Sequence, residues 1–158
     1  VFFRRQPAIA KALSLTAATA IAVLAGQLIF NTADFTAKAE WLTIGPLTIH
    51  LGFLLDPLSK LLLAVVALVG LLVHVFSLGY MAHEENQARF FGCLSLFMFS
   101  MTGLTLADDL IMLFIFWELV GLSSFLLINF YFEKPAAVAA SKKAFIVNRL
   151  GDFGFLLG

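Results

Sequence analysis

Long apolar runs, separated by short polar segments, occupy most of the chain. The runs with few or no charged residues span about 12–30, 58–80, 90–106 and 110–132, and a fifth covers 141–158. A helix needs roughly 20 apolar residues to cross a hydrocarbon core of about 30 Å. The pattern therefore predicts an all-α polytopic membrane protein with about five transmembrane helices. Because the fifth run has no cap or stop signal, we expect that helix to be incomplete and residues 1–158 to form the N-terminal part of one longer membrane domain.

The segment between the first two runs has a different pattern. Residues 41–44 and 47–51 alternate large and polar side chains around Gly45 and Pro46, which is typical of a short β-hairpin. An open sheet edge cannot face lipid, so we expect this hairpin, residues 41–51, to lie outside the bilayer. Asp56 followed by Pro57 predicts the start of the next helix, because Asp is a favoured N-cap and Pro a favoured first helical residue.

Basic residues in the connecting segments predict the orientation of the chain. If every run spans the membrane, Lys38 and Lys60 lie on one side and all other basic loop residues lie on the opposite side: Arg4, Arg5, Lys11, Arg89, Lys134, Lys142 and Lys143. Cytoplasmic loops carry an excess of Lys and Arg, so we expect the N-terminus on the cytoplasmic or matrix side and the hairpin on the outer side. A signal peptide is the alternative for the first run, although its apolar stretch exceeds the usual core of about 7–15 residues.

The composition excludes several other classes of protein. The 158 residues are 61% hydrophobic and 13% charged, and ten Lys and Arg balance ten Asp and Glu. Soluble domains carry about 25% charged residues, and disordered segments are far less hydrophobic. Zero net charge gives no electrostatic footprint for nucleic acid, so the expected partner is the lipid bilayer. With one cysteine, Cys93, the sequence cannot form an internal disulfide or a cysteine-ligated iron–sulfur site.

Glu118 is the one charged residue deep inside the fourth run. It follows the start of that run by eight residues, about 12 Å along a helix, and so lies near the middle of the membrane. A carboxylate there costs on the order of 2.5–3.5 kcal/mol on insertion scales, so it must face protein or water. Burial favours the neutral acid and a nearby cation favours the carboxylate, which makes Glu118 a candidate proton carrier. The alternative is a structural hydrogen bond between helices, with Gly121 and Ser124 permitting close approach.

Arg149 and Asp152 are the other charges that topology does not explain. They lie three residues apart on the fifth helix, share a face and can pair. One interpretation is a proton entry or relay element on the inner side of the membrane. The other is a neutralised pair that positions the helix near the interface.

The remaining polar residues are weaker candidates. We expect Asp108 and Asp109 to cap the fourth helix, Lys60 to extend to the interface, and Glu84 to be solvated. His74 is expected near the inner headgroups rather than in a proton relay. The sequence has no G-x-G-x-x-G, P-loop, C-x-x-C or H-E-x-x-H motif, so we expect any redox reaction or nucleotide hydrolysis to take place on another chain.

Two stretches resemble a known family. Trp-Glu-Leu-Val-Gly within residues 116–128 and Asn-Arg-Leu-Gly-Asp within residues 142–155 are similar to the NuoL-type antiporter-like subunit of proton-translocating NADH:quinone oxidoreductase, respiratory complex I. Residues 53–59 and 107–110 also resemble that subunit. Small departures occur at Ser123, where a Cys is frequent in the family, and at Asn129, where a Gly is frequent.

The resemblance implies a function and roles for the charged residues. Glu118 matches the family's buried glutamate, whose partner is a lysine on a later helix, and Arg149 and Asp152 match a motif whose Asp is linked to proton translocation. The chain itself is expected to carry no cofactor, while FMN, iron–sulfur clusters and quinone are bound by partner subunits. The implied partners are the other membrane subunits of complex I, and the implied location is the bacterial inner membrane, or alternatively the mitochondrial one.

Two alternatives stay open at this point. The large subunit of an Mrp-type multi-subunit Na⁺/H⁺ antiporter shares the expected fold and the buried glutamate. A structural membrane scaffold without a transport role is the third hypothesis.

Overall fold

The computed structural model describes residues 6–45 and 47–157. Its elements, in chain order, are α1 (Pro7–Asn31), β1 (Phe35–Ile44), β2 (Leu47–Leu55), α2 (Pro57–Tyr80), α3 (Gln87–Thr105), α4 (Leu110–Ile128), a 3₁₀ turn (Asn129–Tyr131) and α5 (Pro135–Leu157). The predicted fold class is confirmed: within these residues the structure is mostly helical, and one β-hairpin connects α1 to α2. Three residues named above lie outside the described residues. They are Arg4 and Arg5, which belong to the basic residues that predict the orientation, and Pro46 of the expected hairpin turn.

Among the described residues, four helical segments are long and apolar enough to cross a membrane: α1, α2, α3, and α4 together with the 3₁₀ turn. Their outward faces carry large exposed apolar side chains, such as Leu61, Leu72 and Phe76 on α2. A water-soluble protein rarely exposes contiguous apolar surface of this kind, so these faces suit lipid or further protein. The fifth helix, α5, is amphiphilic by comparison, because its 23 residues include two lysines, an arginine and an aspartate.

Small side chains hold α1, α2 and α3 together. Ala25 of α1 packs against Leu63 and Ala67 of α2 in a buried cluster, and Ser14 of α1 donates a hydrogen bond to the Phe91 carbonyl of α3 at 3.2 Å. Small residues allow membrane helices to approach closely, so that dispersion contacts replace the missing hydrophobic drive. This packing makes α1 part of the bundle and favours a membrane helix over the signal-peptide alternative.

The hairpin is longer than the predicted segment 41–51. Its register runs from Phe35 opposite Leu55 to Ile44 opposite Leu47, with an irregularity between Glu40 and Leu42. The second edge of β2 is also occupied, because the Leu54 amide donates to the Leu106 carbonyl at 3.0 Å. Main-chain pairing on both edges explains why β2 continues through the apolar residues Phe53–Leu55, where polar alternation has ended and the sequence pattern gave no strand signal.

Helix starts follow the local chemistry of caps. Asp56 caps α2 in a capping box: its carboxylate accepts from the Ser59 amide at 2.6 Å, and the Ser59 hydroxyl accepts from the Asp56 amide at 2.7 Å. These hydrogen bonds to Ser59 lower the pKa of the Asp56 carboxyl. In contrast, α5 begins at Pro135, six residues before the apolar run, because Pro suits the first helical position and the following alanines favour helix.

The end of the bundle opposite the hairpin is closed by aromatic residues. Phe91 of α3 and Phe130 of the 3₁₀ turn pack with Met81 in a second buried cluster. Tyr131 donates a hydrogen bond to Glu84 at 2.9 Å, so Glu84, expected to be solvated, instead ties the α2–α3 loop to the end of α4.

Candidate functional site

The candidate site lies between α4 and α5, which run antiparallel after a tight turn. Aromatic pairs fix their register: Phe125 lies 5.4 Å from Phe145, and Phe114 lies 5.7 Å from Phe155, measured between ring centroids. Residues at similar distances from the turn therefore face one another. Glu118 precedes the turn at residues 132–134 by fourteen residues and Arg149 follows it by fifteen, and the fold brings them together.

Glu118 and Arg149 form an ion pair between the two helices. The Glu118 side chain is 20% exposed and that of Arg149 is 45% exposed. The Arg149 guanidinium also lies 5.1 Å from the centroid of the Phe145 ring, a cation–π distance. Within the described part of the chain, Glu118 thus has an arginine partner, whereas the family resemblance implied a lysine on a later helix.

Asp152 is the most buried of the three charged residues, with 6% of the residue exposed. Its carboxylate accepts a hydrogen bond from the Trp117 indole at 2.8 Å, while its second oxygen lies 4.0 Å from the Arg149 guanidinium. The expected pairing of Arg149 with Asp152 is therefore only at the limit of an ion pair. Trp117, which directly precedes Glu118, holds the aspartate in place, and its ring is parallel to that of Phe155.

Arg149 lies deeper than the sequence analysis placed it. Because α5 starts at Pro135, Arg149 follows the helix start by fourteen residues, about 21 Å along the axis. Its contact with Glu118, the ninth residue of α4, puts both groups at mid-helix rather than at the inner side. The site therefore combines two carboxylates with one guanidinium in the middle of the α4–α5 pair.

A second group of charges lies at the hairpin end. Asp109 caps α4, accepting from the Met112 amide at 2.7 Å, as expected. Asp108 does not cap the helix; its carboxylate pairs with Lys38 of β1 at 2.7 Å, and this interaction raises the pKa of the Lys38 ammonium. Lys60, expected to extend to the membrane interface, forms an ion pair with Asp34 at 2.6 Å.

The weaker candidates have local structural explanations. Ser123 is fully buried and donates to the Val120 carbonyl at 3.0 Å, so the hydroxyl is satisfied within α4. Asn129 follows the last residue of α4 and begins the 3₁₀ turn. His74 is 1% exposed, so its ring is buried among the helices, and it lies six residues before the end of α2 at Tyr80.

Sequence reasoning missed the Glu118–Arg149 contact and the role of Trp117. The similar spacing of Glu118 and Arg149 from the turn was a usable signal, given antiparallel helices. The Trp117 indole offered another, because an indole N–H in an apolar setting usually has a polar partner.

The fold and the site together define a polytopic helical membrane protein with titratable side chains at mid-helix. Two family models match this chain. Residues 41–91 match the one described as NADH-ubiquinone oxidoreductase (complex I), chain 5 N-terminus, and residues 107–158 match NADH:quinone oxidoreductase/Mrp antiporter, TM.

Relatives with curated names agree with these matches. The chain is 46% identical to the chloroplastic NAD(P)H-quinone oxidoreductase subunit 5 of Anthoceros angustus, covering 98% of this chain and 21% of that protein. It is 48% identical to NADH-quinone oxidoreductase subunit L of Neisseria meningitidis, covering 86% of this chain and 20% of that protein. The chain therefore belongs to the family of antiporter-like membrane subunits of NADH:quinone oxidoreductases, and it spans about a fifth of the length of these relatives.

A solved structure shows the same architecture. The Mrp complex from Dietzia sp. DQ12-45-1b contains a chain that superposes with a TM-score of 0.81 at 29% identity, covering 98% of this chain and 18% of that chain. The resemblance stated from the two motifs is thus confirmed at the level of the family.

Proposed function

We propose that this chain is part of a proton-translocating membrane subunit of NADH:quinone oxidoreductase, coupling electron transfer on other subunits to proton transport. The observation that carries this proposal is the ion pair between Glu118 and Arg149 at mid-helix. Asp152 lies 4.0 Å from the same guanidinium, so one cation has two possible anionic partners.

The charges of this site do not balance when all three groups are ionised. Glu118 and Asp152 carry two negative charges and Arg149 one positive charge, which leaves one carboxylate uncompensated. An unpaired charge in the hydrocarbon region is expensive, so the site favours either a bound proton or a second cation. The lysine that the family resemblance implies on a later helix would be such a cation.

This imbalance suggests how the site moves a proton. When Glu118 takes up a proton, its carboxylate becomes a neutral acid and its attraction to Arg149 falls. The guanidinium then moves toward Asp152, which Trp117 holds in position. When the proton leaves Glu118 on the other side, Arg149 returns, so that the position of one guanidinium follows the protonation of one carboxyl.

The exposure of Arg149 supports a location inside a larger assembly. An arginine that is 45% exposed at mid-helix must face protein or water rather than lipid. We infer that the partners are other membrane subunits of complex I, and that FMN, iron–sulfur clusters and quinone are bound by partner subunits while this chain carries none. The bacterial relatives favour the inner membrane of a bacterium.

Replacing Glu118 with Gln tests the proposal. In the assembled complex, the E118Q variant should oxidise NADH but lose proton pumping, or pump severalfold less per NADH, because Gln cannot bind and release a proton. Proton uptake into vesicles, measured beside NADH oxidation, gives this ratio. E85Q in the exposed α2–α3 loop is the matched control and should pump normally. Full pumping at normal stoichiometry in E118Q would contradict the proposal.

The Mrp-type Na⁺/H⁺ antiporter is the second candidate, favoured by the likeness to the Dietzia chain. Its identity of 29% is lower than the 48% found with the Neisseria subunit L, which favours the oxidoreductase. Purification of the intact complex separates the two, because flavin and iron–sulfur absorbance accompanies only the oxidoreductase. In a structural scaffold, by contrast, E118Q and D152N would change assembly alone.

A further inference from the structure

A groove runs between α1 and α3, outside the α4–α5 site. It has a volume of about 780 Å³ and extends along α1 from Ala10 to Ala17 and along α3 from Arg89 to Leu96. This volume lies within the range of about 300–1,000 Å³ that small-molecule sites occupy. Most of the side chains that line the groove are apolar or small, so it suits an apolar occupant.

The groove opens on the lateral surface of the bundle. Leu13 is 56% exposed, and Ala17 and Gly92 are exposed as well. Both helices are long and apolar enough to cross a membrane, so this opening faces the hydrocarbon region. The groove extends about 10 Å along the helix axes, which is roughly two thirds of the hydrocarbon layer of one leaflet. Its length therefore matches the part of a lipid acyl chain that lies nearest the headgroup.

The charged residues of α1 and α3 all lie at one end of the groove. Lys11 is the fifth residue of α1 and Arg89 is the third residue of α3, and neither helix contains a carboxylate. Both helices begin at the end of the bundle opposite the hairpin, so the positive ends of their dipoles lie there too. This end of the groove therefore attracts an anion.

The Arg89 guanidinium has hydrogen-bond donors to spare. One of its nitrogens lies 3.4 Å from the Asn129 carbonyl oxygen, and its centre lies 4.9 Å from the centroid of the Phe132 ring. Both partners are neutral. A guanidinium carries five N–H donors, and within the described part of the chain Arg89 uses one of them.

The carboxylates at this end of the bundle do not neutralise Arg89. Glu84 accepts a hydrogen bond from Tyr131 at 2.9 Å, and Glu85 and Glu133 are exposed. The ion pairs among the described residues lie at the hairpin end and in the α4–α5 site. The positive charge at the end of the groove is therefore available to a ligand.

We propose that the α1–α3 groove binds an anionic phospholipid, whose phosphate accepts hydrogen bonds from Arg89 and one of whose acyl chains lies over Gly92. Basic pockets between membrane helices on the cytoplasmic side bind anionic headgroups, and the guanidinium fork matches the oxygens of a phosphate. The basic residues predict that this end of the bundle lies in the inner leaflet.

An anionic lipid fits better than a protein segment does. A further helix could cover the apolar part of the groove, but it would also need a carboxylate placed beside Arg89. An anionic phospholipid combines the charge and the apolar chain in one molecule. The site does not depend on the proposed function, because none of its residues belongs to the α4–α5 pair.

Photo-cross-linking of the purified complex in phosphatidylcholine vesicles tests the proposal. Two probes carry the same diazirine-labelled acyl chain, one on phosphatidylglycerol and the other on phosphatidylcholine. The anionic probe should label residues 88–96 of α3 at least about fivefold more than the zwitterionic one, because one basic residue near an anionic lipid is worth about that factor. Equal labelling would mean that only bulk acyl chains enter, and no labelling by either probe would mean that protein covers the groove. Either result would overturn the proposal.

Replacing Arg89 tests its part in binding the headgroup. R89Q should label equally with both probes, since Gln keeps hydrogen-bonding ability but lacks the charge. K142Q removes a cation from an exposed position of α5 and should keep the wild-type preference. If R89Q also keeps that preference, Arg89 does not bind the phosphate. The wild-type comparison of the two probes decides even if R89Q fails to assemble.

Filling the groove tests the position of the acyl chain. A Cβ added to Gly92 or to Gly26 meets no atom within 4 Å in the described structure, so both sites have room for a larger side chain. G92L should reduce labelling by the anionic probe severalfold, because the leucine occupies the groove. G26L, the same substitution nine residues beyond the groove on α1, should label as wild type does. Equal labelling of these two variants would show that the chain does not lie over Gly92.

Discussion

The hairpin end and the α4–α5 pair differ in the number of carboxylates beside each basic side chain. At the hairpin end each cation has one carboxylate: Lys38 pairs with Asp108 and Lys60 with Asp34. In the α4–α5 pair, two carboxylates share one arginine. Each pair at the hairpin end is balanced, whereas the extra carboxylate at mid-helix is the feature on which the proposed proton-handling role depends.

The two regions also differ in how their helices pack. Small residues such as Ala25 and Ala67 join α1 and α2 in a buried cluster. Between α4 and α5, aromatic rings such as Phe125 and Phe145 form the contacts. Small residues bring α1 and α2 close together, whereas aromatic rings, one of them beside the Arg149 guanidinium, form the α4–α5 interface.

Replacing Arg149 has the largest expected effect. Breaking a fully buried ion pair costs about 3–5 kcal/mol because it leaves an uncompensated charge. The Arg149 side chain is 45% exposed, and solvent screens such a pair, so we expect a cost below this range. R149M should therefore reduce the amount of assembled complex and abolish pumping, and adding E118Q should restore assembly. K143M, on the exposed side of the same helix, is the control. Normal assembly in R149M would show that Glu118 and Asp152 need no partner here.

Gly103 of α3 lies against α4, between the two regions. Replacing it should affect assembly and pumping less than replacing Arg149 does. A Cβ at Gly103 would overlap the Phe116 ring of α4, and overpacking costs about 1–3 kcal/mol. We expect G103A to lower the thermal stability of the complex and reduce pumping, because Phe116 lies two residues before Glu118. At Gly92 a Cβ meets no atom within 4 Å in the described structure, so G92A should leave both unchanged or add slight stability. Equal effects of the two variants would contradict the packing.

The smallest expected effect concerns pH and the Asp56 cap. Hydrogen bonds to Ser59 lower the pKa of Asp56 below its usual value of 3.8, so its ionised form stabilises the fold above about pH 4. This contribution is lost as the pH falls through the lowered pKa. D56N should keep the cap, since Asn also caps helices, but thermal unfolding should show a shallower loss of stability in acid. An unchanged acid slope in D56N would exclude this role.

The apolar runs predicted most of the fold, because membrane helices are specified by length and hydropathy alone. Local chemistry predicted the starts of α2 and α4 at Asp56 and Asp109. The true start of α5 was missed, because Pro135 and the alanines after it are only weakly apolar. The length of the hairpin was underestimated, because the pairing of β2 with the α3–α4 loop depends on tertiary structure.

The charged residues of the site were predicted individually but not as a set. Spacing along one helix suggested that Arg149 pairs with Asp152, whereas the strongest contact joins Arg149 to Glu118 across two helices. That contact depends on the register of α4 against α5, which the short turn and the aromatic pairs determine. Trp117 directly precedes Glu118 in the sequence motif. Its hydrogen bond to Asp152 also depends on the register of α4 against α5, so the sequence alone did not predict it.

Both ends of α4 are fastened to the rest of the bundle. At one end the Asp108 amide bonds to the Gly52 carbonyl at 3.2 Å, and at the other Tyr131 bonds to Glu84. These contacts restrain α4 at both ends, so we expect Glu118 to keep its position. In the proposed mechanism the group that moves is the Arg149 side chain, whose guanidinium is 4.0 Å from Asp152. A displacement of about 1 Å brings that distance to charge-assisted hydrogen-bond length, so the movement that the proposed mechanism requires is smaller than the rise of a single helical residue.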